Sequence, residues 1–244
     1  MKVSIVIQGP LNPISIGNIN RYKKFGEVIV SHWKNDDVSI LNGVQDIKVV
    51  SNEPIQIDPF RNPQNLYRQI ITTLNGIKQA TGDFVIKTRS DEYFGNLTPF
   101  LTAVSKHPQK VACGNIYFRK VWVRHMCDHV FCGNRELLLK TYCVMKQKCD
   151  KVVGAKHIIP EIMLTTSILE MKGERVQEIY VKRMHQPNEK AQMIKNFVLV
   201  PIRECTPFLA KIQYPGGRHI YIDKEDQQLM NYNGECIYNS LDQL

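Results

Sequence analysis

The stretch Val3–Ile7 (VSIVI) constrains the fold most, because it is a near-continuous apolar run rather than an alternating one. Such a run suits a strand buried on both faces, as in a parallel sheet, and Gly9-Pro10 stops it. A helix around Ile16–Phe25 follows, then a second strand over Glu27–Ser31 and a third over Asp46–Ser51. Residues Asn65–Ala80 predict a helix, since Leu66, Ile70, Ile71, Leu74 and Ile77 share one apolar stripe. Gly82 breaks it, and Asp83–Lys87 (DFVIK) reads as a fourth strand. Strand, helix and strand repeated in this way predict an α/β fold with a mostly parallel sheet between helices. Ligands of such sheets gather beyond the C-terminal ends of the strands.

After residue 110 the pattern changes. Val111–Cys113 and Tyr117–Val123 look like strands, and a helix runs from about Asn134 to Lys146. Asn134 suits its N-cap, with Glu136 in the first turn. Pro160-Glu161 opens another helix through about Met171, since a first-turn position tolerates proline's missing N–H. The segment from Met184 onward is rich in Pro, Asn and Gly and reads as irregular. No repeat or composition break divides the 244 residues, so one domain is expected.

Composition narrows the class of protein. Hydrophobic residues make up 43% and charged residues 23%, which excludes wholesale disorder. Apolar runs are too short to span a bilayer, and the N-terminus lacks the apolar core of a signal peptide, so a cytoplasmic chain is expected. The seven cysteines include no C-x2-C pair, which points to reduced thiols rather than a zinc ribbon. The net charge is +9, and residues 110–160 hold ten Lys/Arg against Asp128, Glu136 and Asp150. A basic face suggests phosphate-bearing partners, or simply solubility. Tyr117, Phe118 and Trp122 lie near its cations, but they alternate like a strand, so no nucleic acid is expected. There is no G-x-S-x-G, H-E-x-x-H or Walker sequence.

The string DFVIKTRSDEYF (residues 83–94) carries the most chemistry. A buried strand delivers Lys87, Arg89, Asp91 and Glu92 to its C-terminal edge. Two cations beside two carboxylates suit a metal–diphosphate site, in which an ion bridges phosphate oxygens and the cations offset the remaining charge. A solvated turn with local ion pairs is the plain alternative.

NLYRQIITTLNGI (residues 65–77), followed by VIKTRSD (85–91), resembles the signature of the WavE family of lipopolysaccharide-synthesis proteins, found in bacteria and large DNA viruses. VIQGP (6–10), VSHW (30–33) and CDHVFCG (127–133) also fit, so the resemblance spans roughly residues 3–165. It implies a single GT-A, Rossmann-like glycosyltransferase domain over 1–244. Residues 1–110 would form the nucleotide-sugar half, and 111–244 the acceptor side with a mixed C-terminal segment. GT-A enzymes usually carry Asp-x-Asp, whose last Asp ligates a metal; here the triplet is Arg89-Ser90-Asp91, so only Asp91 matches and Glu92 is an alternative ligand.

The resemblance also places other residues. Gln8 and Pro10 end the first strand, where such folds hold the base, and Trp33 could stack on it or simply pack. Arg68, on the polar side of its helix, could reach a diphosphate or remain a surface arginine. Glu161 is the candidate general base, with Asp128 as its rival or as a sugar contact. His185 is a candidate second metal ligand beside Asp91. The expected cofactor is Mn²⁺ or Mg²⁺.

The leading expectation is a transferase, metal-assisted and inverting, moving a sugar from a UDP-linked donor to a glycan or lipid-linked acceptor. Peripheral membrane contact would run through residues 110–160. A sugar-nucleotide nucleotidyltransferase is one alternative, although Gly9-Pro-Leu-Asn-Pro13 lacks the cations its loop needs. A non-catalytic polyanion-binding module is the other.

Overall fold

A computed structural model describes residues 1–55, 64–115, 124–151, 158–176, 187–205, 208–210 and 220–222. Its centre is a seven-stranded sheet. The first strands are β1 (Val3–Gln8), β2 (Glu27–Trp33), β3 (Ile47–Asn52) and β4 (Phe84–Arg89). The short β5 (Tyr93–Phe94) follows, then β6 (Val111–Gly114), β7 (Phe131–Asn134) and β8 (Phe197–Val200). The sheet order is β3-β2-β1-β4-β7-β6-β8. The first four positions are parallel, β7 runs antiparallel between β4 and β6, and β6 pairs parallel with β8. The expected parallel N-terminal half and mixed C-terminal half are both present. A second, three-stranded sheet joins β5 to β9 (Phe208–Ala210) and β10 (Ile220–Ile222).

The helices are α1 (Pro13–Tyr22), α2 (Gln64–Gln79), α3 (Thr98–Lys106), α4 (Arg135–Lys151), α5 (Pro160–Met171) and α6 (Pro187–Asn196). Helix α1 starts three residues before the expected Ile16, because Asn12 caps it by accepting from the Ile14 and Ser15 N–H groups and Pro13 takes the first position. Helix α5 matches its expected span, and the Asn134 side chain accepts from the Leu137 N–H at the start of α4. Helices α3 and α6 and strands β5, β7 and β8 were not expected, whereas the expected Tyr117–Val123 strand lies outside the described residues. None of the described helices is long and apolar enough to cross a membrane. Among the described residues six cysteines are free thiols, four of them buried.

Helix α2 positions much of the site. Leu66, Ile70, Leu74 and Ile77 are all within 3% of full burial, each contributing roughly 1.5–3 kcal/mol by leaving water. The helix approaches the sheet closely at Gly76, where a Cβ would stand 2.4 Å from Val6 Cγ1. Two polar ties fix its register: Thr72 Oγ1 donates to Gln8 Oε1 (2.9 Å), and Asn75 Nδ2 donates to Asn52 Oδ1 (2.8 Å).

At the other end of the sheet, Glu27 accepts from Ser4 Oγ (2.6 Å) and the Thr81 N–H (2.9 Å) and pairs with Lys48 (2.6 Å). Burial opposes its ionisation, but Lys48, Ser4 and Thr81 outweigh it and bring the carboxyl down to about 2. A carboxyl depressed on folding stabilises the native state above its unfolded value of about 4.3 and loses that contribution as pH falls towards 2. Urea midpoints measured across this range should therefore fall less steeply with acid in Glu27→Gln than in the wild type. Parallel curves would mean that the network does not couple Glu27 to folding.

Candidate functional site

The loops after β1, β2 and β4 are bound to one another, and this shapes a cleft at the C-terminal edge of the parallel strands. Gly9 has φ +124, a conformation side chains rarely adopt, and a Cβ there would lie 2.5 Å from Ser90 Oγ. Its N–H donates to Ser31 O (3.1 Å), and the Ser90 N–H donates to Gln8 O (2.9 Å). Asn12 Nδ2 adds a bond to Ser90 O (3.1 Å). Asp36 Oδ2 accepts from the Leu11 and Trp33 N–H groups, both at 3.0 Å, which holds the β2 loop against the β1 loop.

The cleft has a volume of about 620 Å³. Gln8, Pro10, Trp33, Arg68, Arg89, Asp91, Asp128 and Glu161 all line it, so eight of the eleven residues singled out in the sequence meet here. Gln8 is almost fully buried and its carbonyl oxygen is engaged by Thr72, so its amide nitrogen is the end left to donate. Trp33 is half-buried beside it, and Arg68 is exposed on the first turns of α2.

Arg89 and Asp91 form a two-pronged pair, Nε to Oδ1 at 2.8 Å and Nη2 to Oδ2 at 2.6 Å. Burial disfavours the charge on Arg89, but Asp91 and Glu92 overcome it and raise its pKa. Burial likewise opposes ionisation of Asp91, and the guanidinium holds its carboxyl below the usual range. Both oxygens of Asp91 are thus engaged by a cation.

Lys87 does not line the cleft. Its side chain is fully buried, 5.7 Å from the Phe131 ring centroid, and its ammonium donates to the Asp128 carbonyl. Burial pushes its pKa down to about 8, with Asp128 and Glu92 opposing that shift. Strand β4 alternates faces, so Lys87 and Arg89 share one side; the pairing with β7 runs as far as Lys87, opposite Phe131, and Arg89 lies beyond it at the rim. Lys87 therefore reaches Asp128 from beneath the cleft. His185 lies outside the described residues.

The far wall comes from the segment before β7 and from α5. Asp128 is buried; its Oδ2 accepts from Gln69 Nε2 (2.8 Å) and its Oδ1 lies 3.5 Å from His129 Nε2. Burial works against its charge, but His129, Lys87, Gln69 and Arg89 prevail and hold the carboxyl well below the usual range. His129 Nδ1 contacts Glu92 Oε1, so Glu92 turns away from the cleft into a buried pair. Glu161 sits in the first turn of α5, where the helix dipole favours a carboxylate, 3.8 Å from His125 Nε2. One ligating atom from each of Asp128, His129 and Glu161 falls within 4.8 Å of the others, a cluster compatible with a divalent cation. Gln69, Thr72 and His129 were not among the sequence candidates. Thr72 stands four residues after Arg68, so helical spacing could have found it, whereas Gln69, the next residue in the chain, carries no such signal.

A family model described as WavE lipopolysaccharide synthesis matches residues 3–147. No curated protein matches the chain. Similar solved structures include HddC from Yersinia pseudotuberculosis complexed with GMP-PN, at 10% identity, covering 57% of this chain and 79% of that one, with a TM-score of 0.37. A second HddC crystal structure from the same organism has the same identity and coverage and a TM-score of 0.36.

Proposed function

The chain belongs to the WavE lipopolysaccharide synthesis family, and from that premise we propose that it is a glycosyltransferase using a nucleotide diphosphate sugar, UDP-linked. The observation that carries the reading is the meeting of Gln8, Trp33, Arg68, Arg89, Asp128 and Glu161 in one cleft beyond the parallel strands. In this reading the base lies against Trp33 with the Gln8 amide as a donor. Arg68 and Arg89 face the diphosphate, since planar guanidinium groups match paired phosphate oxygens. The sugar then points towards the Asp128–Glu161 wall.

The chemistry is a single displacement. An acceptor hydroxyl on a glycan or lipid-linked acceptor attacks the anomeric carbon as the bond to the diphosphate breaks, which inverts that centre. Glu161 takes the hydroxyl proton. Asp128, kept anionic by its neighbours, contacts the sugar hydroxyls. The leaving diphosphate gains negative charge, which Arg68 and Arg89 offset. A bound Mn²⁺ or Mg²⁺ would add positive charge to the cleft and offset part of the donor's negative charge.

Thermal melting tests the donor site. A native-state ligand at a hundred times its Kd adds about 2.7 kcal/mol, or roughly 5–10 °C for a chain of this size. Millimolar UDP-sugar should raise the melting temperature, and UDP should compete. If no nucleotide or sugar nucleotide shifts melting, in chelator or in manganese, the cleft is not a donor site.

A further inference from the structure

We infer that the cation of this cleft is held by Asp128, His129 and Glu161, with Glu92 orienting the imidazole from behind, and not by Asp91. Both oxygens of Asp91 already accept from Arg89, at 2.8 and 2.6 Å. An ion binding there would have to part a two-pronged ion pair and sit against a guanidinium. The opposite wall differs. Asp128 is 6% exposed, and its Oδ1 accepts no hydrogen bond among the described residues, while Oδ2 is fixed by Gln69. A buried carboxylate oxygen without a donor costs free energy unless a cation meets it.

His129 supports the same assignment. Its Nδ1 faces the buried Glu92 carboxylate, which favours a proton on that nitrogen, so Nε2, on the side of Asp128 Oδ1, is the atom that would ligate an ion. The separation of 3.5 Å is long for a hydrogen bond. It does match two ligands of one ion, which stand about 3.0–3.5 Å apart when each is about 2.1 Å from the metal. The third ligating atom, from Glu161, lies within 4.8 Å of the other two, near enough for one ion to take all three after a small side-chain adjustment. One imidazole with two carboxylates favours Mn²⁺ over Mg²⁺. A carboxylate that ligates through one oxygen keeps the other for a proton, so Glu161 can serve in both roles.

The purpose of the ion rests on the transferase reading, but its binding does not. Mn²⁺ alone is titrated into the full chain without nucleotide, and free Mn²⁺ is followed by electron paramagnetic resonance. We expect one ion per chain, Mg²⁺ competing weakly, and Asp91→Asn binding as the wild type does. Asp128→Asn and His129→Gln should weaken Mn²⁺ by about tenfold or more, and Glu92→Gln by roughly 10–100-fold through the oriented imidazole. Those three sites are buried, so Glu161→Gln on the partly exposed carboxylate is the decisive variant should the others fail to fold, with about a tenfold loss expected. No binding by the wild type at millimolar Mn²⁺, unchanged affinity in Glu161→Gln, or loss of the ion in Asp91→Asn would each overturn the assignment. Donor stabilisation in chelator without Mn²⁺ binding sinks the ion site and spares the transferase. Mn²⁺ binding with no response to any nucleotide does the reverse.

Discussion

Replacing Glu161 by Gln should cut turnover by roughly 10²–10⁴-fold at saturating Mn²⁺ while donor affinity stays near that of the wild type. The substitution keeps the shape of the side chain but removes its charge and its capacity to take a proton. Donor affinity is spared because the groups facing base and diphosphate belong to β1, β2, β4 and α2, whereas Glu161 opens α5 on the other wall. The backbone around it should hold. Pro160 occupies the first turn, and the Glu161 carbonyl accepts from Thr165 Oγ1 (2.7 Å), which in turn accepts from the Met126 N–H (3.2 Å). Donor affinity from melting curves and initial rates at saturating donor separate the two effects. Should Glu161→Gln keep its rate while Asp128→Asn abolishes transfer at unchanged donor affinity, Asp128 is the base and Glu161 the sugar contact.

The second large effect is on stability. Glu189→Ala should destabilise the fold by about 3–5 kcal/mol, a melting loss of roughly 6–20 °C. Arg124 and Glu189 form an ion pair at 2.9 Å with side chains only 4% and 3% exposed. Removing the carboxylate takes a buried counter-charge from 2.9 Å away from the guanidinium, which costs far more than the pair contributes. Arg124 also stands at φ 53, a left-handed conformation that surrounding contacts must hold in place. The pair anchors α6 to the start of the 124–129 segment that carries Asp128 and His129. Transfer should therefore fall along with stability. The exposed Lys34–Glu53 pair, 64% and 76% accessible, is the contrast: Glu53→Gln should change stability by no more than about 0.5 kcal/mol. Equal, small effects at both positions would mean that the buried pair is not a structural anchor.

Elements that carry their own signal are legible in the order of residues. Buried parallel strands need unbroken apolar runs, which Val3–Ile7 and Phe84–Ile86 supply, and α2 repeats its apolar residues at helical spacing. Caps and breakers mark Asn134, Pro160 and Gly82. Strand β7 has no such mark: Phe-Cys-Gly-Asn is four residues long, neither alternating nor strongly β-forming. It is a strand because β4 and β6 offer it hydrogen-bonding edges on both sides. Strand β8, Phe-Val-Leu-Val, has strong β character but is hidden in a stretch whose composition reads as irregular.

The site divides along the same line. The order of residues sets which chemistry is available: cations and carboxylates at the end of β4, an arginine on α2, a carboxylate opening α5, and a topology that collects them at one edge. Which of them line the cleft is decided by packing alone. Lys87 and Arg89 are two residues apart and look alike in a string. Burial beside Phe131 of β7 directs the first to the Asp128 carbonyl and leaves the second at the cleft. Glu92, adjacent to Asp91, is drawn inward to His129, while Asp91 is taken up by Arg89. Spacing along a chain sets which side of a strand a residue occupies, but partners and depth depend on segments far away in sequence. A charge is neutralised by whichever opposite group burial brings within reach.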